Sequence, residues 1–145
     1  MSNTSGEDIL SNRLPQGLTQ EQFALLSLKL RQGVSHLGND MRVHGSRADG
    51  SARPDSDIDI AIRVTPERFN EIINDPELSS LANPNTGSSL ENTKLHAIAV
   101  GKITAGRVWL RPLRRELARE LKMKVDLSVI RIGGEFDRGP WIIVP

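Results

Sequence analysis

Two short signals, Gly45-Ser46 and Asp57-Ile58-Asp59, are separated by a polar, turn-rich stretch, and they constrain the fold more than any other feature. From Asp57 to Ile62, acidic or small residues alternate with isoleucines, which is the period-2 pattern of a strand with one buried face. In such a strand Asp57 and Asp59 project side by side from the same face. The sequence therefore predicts a sheet that carries two neighbouring carboxylates close to a glycine-serine turn.

The carboxylates of Asp57 and Asp59 favour a metal site. Two carboxylates held this close repel each other unless a cation lies between them. Hard oxygen ligands of this kind suit Mg²⁺ or Mn²⁺, and a metal site for phosphoryl chemistry follows. The alternative is a pair of ordinary solvated charges at a strand edge.

The Gly45-Ser46 turn has features that suit a phosphate. A glycine lets the backbone approach a phosphate closely, and a serine after it can cap a short helix whose amides face an anion. Alone, such a pair is only a turn signal. Arg47 follows directly, and its guanidinium is predicted either to meet phosphate or to pair with Asp49 or Asp55.

Residues 45–50 (Gly-Ser-Arg-Ala-x-Gly) and 54–59 (Pro-x-Ser-Asp-Ile-Asp) together resemble the signature of the DNA polymerase β-like nucleotidyltransferase superfamily, particularly its minimal nucleotidyltransferase domains. The resemblance implies an α/β (α+β) fold with a small mixed β-sheet flanked by helices. It implies an NTP as substrate and Mg²⁺ (or Mn²⁺) as cofactor. By the same resemblance, the nucleotide-binding residues are Gly45, Ser46 and Arg47, and the metal ligands include Asp57 and Asp59.

The family pattern also includes a third carboxylate on a later strand beside the first pair. Residues 124–130 alternate between apolar and polar types, so they form the predicted strand, with Asp126 among the polar positions. By resemblance, Asp126 would help bind metal and act as general base on the attacking hydroxyl. An exposed aspartate paired with Lys124 or Arg131 is the alternative. The long interval between Asp59 and Asp126 predicts a helical insertion.

Composition excludes several classes of site. The 145 residues fit one domain, and the absence of cysteine excludes disulfides, cysteine catalysis and thiolate metal sites. The net charge of +1 leaves only local clustering to indicate a polyanionic partner. A set of stacking aromatic residues for single-stranded nucleic acid is absent, since the aromatic residues are only Phe23, Phe69, Phe136, Trp109 and Trp141.

The predicted organisation is a flexible leader or linker over residues 1–17 and a nucleotidyltransferase domain over 18–145. The predicted elements are a helix from a Thr19 capping box to about Leu37, strands at 41–44 and 57–64, a helix starting at Thr65-Pro66, and a surface loop at 81–92. His44 is expected to be packed and hydrogen-bonded.

A basic run lies between Gly101 and Lys122, and it contains seven basic residues and only two acidic ones. An apolar stripe through the same run predicts a helix with one buried side and one basic side, which Pro112 either starts or kinks. The basic side of this helix is either a solvated face or a patch that contacts nucleotide phosphates or an RNA backbone. The candidate acceptor-binding residues are Arg107, Arg111, Arg114 and Arg115.

Residues 101–107, 113–117, 125–130 and 133–140 resemble the C-terminal nucleotidyltransferase domains at the tips of large bacterial polymorphic-toxin proteins, of the contact-dependent inhibition or Rhs-like kinds. This resemblance implies delivery into a neighbouring cell, an essential target and a cognate immunity protein. Without a signal peptide or an apolar run of membrane-spanning length, the expected place of action is the bacterial cytoplasm, with no membrane partner.

The expected activity is Mg²⁺-dependent transfer of a nucleoside monophosphate from an NTP to a macromolecular hydroxyl, with pyrophosphate leaving. RNA, such as the 3′ end of tRNA, is the first expected acceptor because of the basic run. A protein side chain, as in AMPylation, is the second. The alternatives are a small-molecule nucleotidyltransferase and a nucleotide-binding, antitoxin-like module without activity.

Overall fold

The computed structural model describes residues 13–145, so most of the predicted leader lies outside the described residues. The helices are α1 (Gln20–Val34), α2 (Ser46–Asp49), α3 (Pro66–Asn74), α4 (Ser89–Val100) and α5 (Arg111–Leu121). The strands are β1 (Asp40–His44), β2 (Ile58–Val64), β3 (Lys102–Thr104), β4 (Val125–Arg131) and β5 (Ile142–Ile143). A 3₁₀ turn, Ala105–Val108, joins β3 to α5.

The strands form one mixed sheet in the order β3-β4-β2-β1-β5. β2 and β4 are parallel neighbours, while every other pair is antiparallel. The predicted α/β class with a small mixed sheet flanked by helices is confirmed. The predicted helical insertion is present as α3, α4 and α5 between the two central strands.

Local signals explain several element boundaries. Thr19 and Gln22 form the predicted capping box, in which each side chain accepts from the other residue's backbone N–H. Thr65 caps α3 by accepting from the backbone N–H of Arg68, with Pro66 in the first turn. β2 begins at Ile58, so Asp57 lies just before the strand and not within it.

The sheet has one apolar face and one polar face. Alternate residues of β2 and β4, including Ile60 and Leu127, are buried in the main core with the apolar sides of α1, α3 and α5. The other face carries Asp59 and Asp126 at one end. Away from that end, this face is covered by the C-terminal segment, residues 132–145, where Trp141 is 2% exposed and packs with Ala61, Ile130 and Phe136.

A buried ion pair between Arg63 and Asp137 holds this C-terminal segment on the sheet, and Arg63 also pairs with Asp40 of β1. Arg63 Nε lies 2.7 Å from Asp137 Oδ1, and Arg63 Nη1 lies 2.9 Å from Asp40 Oδ2. The guanidinium groups of Arg42 and Arg63 also lie over the Trp141 ring, at 5.7 Å and 5.4 Å from its centroid. The C-terminal segment is therefore fixed over the part of the polar face that carries Ala61 and Ile130.

Two predictions about the insertion are wrong in part. The predicted loop over 81–92 gives way to α4 at Ser89, because Ser88 accepts from the backbone N–H of Glu91 and starts a helix. The predicted helix over the basic run is a strand, a 3₁₀ turn and then α5. Ile103 of β3 pairs with Val129 of β4, and the helical pattern of the basic run did not reveal this strand. Pro112 starts α5 and does not kink it.

None of the helices within residues 13–145 is long and apolar enough to cross a membrane.

Candidate active site

The three predicted carboxylates meet at one end of the polar face. Asp59 of β2 pairs in register with Asp126 of β4, and because the strands are parallel the two side chains lie on the same face. Asp57 lies two residues before Asp59, near enough for its charge to act on that carboxyl. The structure thus places all three at the beginning of the two central strands.

The electrostatics of this cluster centre on Asp59. Burial, and then the charges of Asp126 and Asp57, raise the pKa of Asp59 to about 6, while Lys102 opposes them. Burial is the largest of these causes, and the two neighbouring negative charges add to it. The cluster therefore favours a positive group between its members.

Lys102 is a residue of this face that the sequence analysis placed in a helix. It lies in β3 opposite Ile130, with its Nζ 3.8 Å from Asp126 Oδ2 and 4.8 Å from the centroid of the Phe136 ring. The β-branched pair after Gly101 was the available signal for a strand. Lys102 supplies the one lysine-carboxylate ion pair found at the cluster within residues 13–145.

His44 lies on the other side of Asp59, in register with it across β1 and β2. Its ring packs 5.3 Å from the Trp141 ring, but its Nε2 is buried with no hydrogen-bond partner within the described part of the chain. The prediction of a packed histidine is right, and the prediction that it is hydrogen-bonded is wrong for Nε2. Burial lowers the pKa of His44, so the imidazole is neutral at pH 7.

Gly45 lies against the carboxylate of Asp59. Its φ of 73° and ψ of −155° fall in a backbone region that is essentially restricted to glycine. A Cβ at this position would lie 2.3 Å from Asp59 Oδ2. The turn therefore needs glycine for its conformation and for the space that Asp59 occupies, and Ser46 follows as the first residue of α2.

Arg47 is buried, and its donors are taken by backbone carbonyls. Its guanidinium donates to the carbonyl oxygens of Gln16, Arg53, Pro54 and Ser56, at distances between 2.7 Å and 3.4 Å. Within residues 13–145, these hydrogen bonds all go to backbone carbonyl oxygens and none to a carboxylate. We therefore assign Arg47 to holding the loop before β2, in place of the predicted nucleotide contact or aspartate pairing.

The same contacts attach part of the predicted leader to the domain. Pro15 is buried, and Gln16 donates its backbone N–H to Arg47 O at 2.8 Å. The side chain of Gln16 also exchanges hydrogen bonds with the backbone of Ala52. The end of that leader thus supports the loop between the turn and β2, while the domain boundary at Gly17 stays a prediction.

No group of three or more histidine, cysteine, aspartate or glutamate side chains within residues 13–145 is already arranged to hold a metal ion. The chemistry of the donor set nevertheless fits a hard divalent cation, because the carboxylates of Asp59 and Asp126 share one end of one face and Asp57 lies two residues before Asp59. Burial, and then the charges of Asp126 and Asp57, raise the pKa of Asp59, and a cation between the carboxylates would relieve the repulsive part of this effect. The assignment of metal to Asp57, Asp59 and Asp126 stays a prediction.

The basic residues lie in the 3₁₀ turn and in the first turns of α5, whose apolar side packs in the main core on the sheet face opposite Asp59 and Asp126. β3 is antiparallel to β4 and ends at Thr104, opposite Ser128, so the 3₁₀ turn leaves the sheet at the end of β4 that carries Asp126. Within residues 13–145, the guanidinium groups of four arginines form neither a side-chain hydrogen bond nor an ion pair. These are the predicted acceptor-binding residues Arg107, Arg111, Arg114 and Arg115.

The neighbouring acidic residue does not neutralise this group. The Glu116 carboxylate is hydrogen-bonded to the ammonium group of Lys29 on α1, and this contact lowers its pKa. The four free arginines consequently form a positive surface, which we call the arginine surface.

Comparison with known proteins gives one match. Residues 27–138, more than half of the chain, match the family model described as a nucleotidyltransferase domain. This span includes the Gly45-Ser46 turn, the three carboxylates and the arginine surface. No curated protein and no solved structure gave a match.

Proposed function

We propose that the chain, which belongs to the nucleotidyltransferase domain family, transfers a nucleoside monophosphate from an NTP to a hydroxyl of RNA. Membership of this family makes it an enzyme that transfers nucleotidyl groups. One observation carries the rest of the proposal. Asp59 and Asp126 are paired in register at one end of the sheet, and the carboxylate of Asp59 lies against the Gly45 turn.

Asp57, Asp59 and Asp126 are the residues that would hold Mg²⁺ or Mn²⁺. When bound, the metal supplies positive charge that neutralises phosphate oxygens and orients the reacting groups. Support for this assignment comes from the shared face of the carboxylates and from the raised pKa of Asp59.

The chain's own residues divide the remaining tasks. The backbone at Gly45 and Ser46 would receive the triphosphate, since glycine leaves room for close approach. Asp126 would accept the proton of the acceptor hydroxyl. The hydroxyl oxygen then forms a bond to the α-phosphorus, the bond from that phosphorus to the bridging oxygen breaks, and pyrophosphate leaves. Lys102 adds a positive charge beside Asp126.

Asp126→Asn tests the role of Asp126 as base. The amide keeps the size of the side chain but cannot accept the proton, so we expect NTP binding to persist while the rate falls at least about 10²-fold. Single-turnover kinetics and calorimetric NTP titration separate the two quantities. Asp55→Asn, an exposed carboxyl of the preceding loop, is the control. A normal rate for Asp126→Asn in the folded protein would remove Asp126 from the chemistry.

RNA is the proposed acceptor because the arginine surface has no internal partner. Arginines that neutralise phosphates release counterions, so RNA affinity should fall steeply as salt rises. We expect joint reversal of Arg107, Arg111, Arg114 and Arg115 to glutamate to abolish RNA binding and RNA labelling, with NTP binding retained. Filter binding across a range of salt concentrations measures this effect.

Two single charge-reversal variants, one on the arginine surface and one away from it, test the same point. Arg115→Glu and Arg138→Glu make the same charge change at exposed residues, but Arg138 lies in the C-terminal segment. We expect only Arg115→Glu to weaken RNA binding. Normal modification of RNA by the fourfold variant would show that the arginine surface is a solvated face or contacts another partner.

The reaction itself is tested with each labelled NTP, Mg²⁺ and total cell extract. Label in RNA, and a 3′-terminal position for it, is the expected result. Label only in protein would identify the chain as an AMPylating-type enzyme, and label in small molecules would identify a small-molecule nucleotidyltransferase. Absence of transfer with retained NTP binding would favour the antitoxin-like module.

The proposal also includes the setting of a delivered bacterial toxin that acts in the cytoplasm of a target cell and has a cognate immunity protein. Its support is the resemblance of the four segments between Gly101 and Pro140 to polymorphic-toxin tips. Label in an RNA that every cell requires, such as tRNA, would support this setting, whereas label in a dispensable RNA would count against it.

A further inference from the structure

We propose that Trp109, with Arg111 and Arg115, forms a stacking site for an unpaired nucleobase of the acceptor RNA. The identity of the acceptor rests on the proposed function. The sequence contains no set of stacking aromatic residues, but a single exposed ring suffices to hold one base.

Trp109 is exposed in a way that Trp141 is not. Its side chain is 57% exposed, while Trp141 is 2% exposed. Within residues 13–145, none of the aromatic pairs or cation–π contacts includes the Trp109 ring. A large flat apolar surface is therefore presented to solvent next to the arginine surface.

The backbone holds this ring outward against an intrinsic preference. Trp109 has φ 60° and ψ 28°, a left-handed conformation that is unusual for a bulky residue. Its backbone N–H donates to Ala105 O and so closes the 3₁₀ turn. The next residue, Leu110, is buried and fixes the chain on the core. Such strain persists where the surroundings determine it, and it is common at ligand sites.

An open cavity of about 360 Å³ lies beside the ring, within the size range of ligand pockets. It is lined by Gly106, Trp109, Arg111, Pro112 and Arg115. Arg111 extends across Gly106, since a Cβ there would lie 2.8 Å from Arg111 Nη2. The cavity thus has one aromatic wall and two guanidinium groups.

The charge at this cavity matches a nucleotide. Arg111 and Arg115 lie one helical turn apart on the exposed side of α5, and neither has an ionic partner in the described part of the chain. Leu110 is the N-cap of α5 and provides no side-chain hydrogen bond, so the helix N-terminus adds a partial positive charge. A ring for the base beside positive groups for its phosphate is the arrangement by which single-stranded nucleic acid binds.

The experiment measures the affinity of a short fluorescein-labelled single-stranded RNA by anisotropy. We expect Trp109→Ala to weaken binding about tenfold or more, from the loss of one stacked base. Trp109→Phe should keep most of the affinity. Leu95→Ala is the matched control, because Leu95 is also 57% exposed but lies on α4. A fully paired duplex should bind all four proteins alike.

Tryptophan fluorescence provides a second measurement. Unlabelled single-stranded RNA should quench the emission of the wild type, while Trp109→Phe, which retains only the buried Trp141, should show little quenching. Thermal denaturation checks that each variant is folded.

Three results would overturn the inference: no binding of single-stranded RNA by the wild type, unchanged RNA affinity of folded Trp109→Ala, or an equal loss of NTP affinity in that variant. The last would place the ring against the base of the NTP. Label transfer to any acceptor tests the proposed enzyme separately. Transfer without RNA binding would reject only the stacking site and the RNA acceptor, and RNA binding without transfer would reject only the enzyme.

Discussion

Asp59→Asn is expected to reduce nucleotidyl transfer about 10³-fold and, at the same time, to stabilise the metal-free protein at pH 8. Activity should fall because the central carboxylate of the cluster is lost. Stability should rise because burial, together with the negative charges of Asp126 and Asp57, disfavours the ionised carboxyl of Asp59. A gain in stability together with a loss of function separates a site residue from a structural one.

The direction of the pH effect follows from the raised pKa. Since the pKa of Asp59 rises from 3.8 to about 6 on folding, its favourable contribution is fully present below pH 4 and is lost as the pH rises past 6. A shift of this size corresponds to roughly 3 kcal/mol, and solvent screening at a partly exposed site reduces it to about 1–2 kcal/mol. The wild type should therefore lose this amount between pH 4 and pH 7, and Asp59→Asn should not.

Urea denaturation with a chelator at pH 4, 6 and 8 measures both free energies of unfolding. Asp55→Asn is the control, since Asp55 is an exposed carboxyl in the loop before β2. Added Mg²⁺ should stabilise the wild type at pH 8 more than Asp59→Asn. Equal pH dependence in the wild type and Asp59→Asn would contradict the electrostatic description of the cluster.

The alternation of residue types along the chain predicted the two central strands, β2 and β4, and the sheet face on which their carboxylates lie. Residues 58–64 and 125–131 each have a period-2 pattern, and that pattern assigns faces without knowledge of the partner strand. Pairing of Asp59 with Asp126 needed the family resemblance as well, because two alternating segments do not define their own register. The capping signals at Thr19 and Thr65 were equally local, and both were confirmed.

Other parts of the site depend on contacts that are distant in sequence. β3 has three residues, too few for a period, and Lys102 reaches the cluster only because β3 pairs with β4. Arg47 has its partners in the chain before α1 and in the loop before β2. The burial of Trp141 on the polar face follows from the return of the C-terminal segment, which no local pattern indicates.

Gly45→Ala is expected to reduce transfer at least about 10²-fold in a protein that still folds. The added Cβ would lie 2.3 Å from Asp59 Oδ2, so that carboxylate must move. Because the clash is with the end of a flexible side chain, the site changes more than the core does. The backbone conformation adds a strain of about 1–3 kcal/mol. Displacement of a reacting group by about 1 Å is enough for a 10²-fold loss of rate.

Gly50→Ala separates the strain from the displacement. Gly50 ends α2 with φ 88° and ψ 7°, and a Cβ there would have no atom within 4 Å. Both variants should therefore lose stability in urea denaturation, by about 1–2 kcal/mol for the left-handed residue at position 50. Only Gly45→Ala should lose NTP affinity and transfer rate. Equal loss of activity in Gly45→Ala and Gly50→Ala would show that the turn acts through its conformation and not through its contact with Asp59.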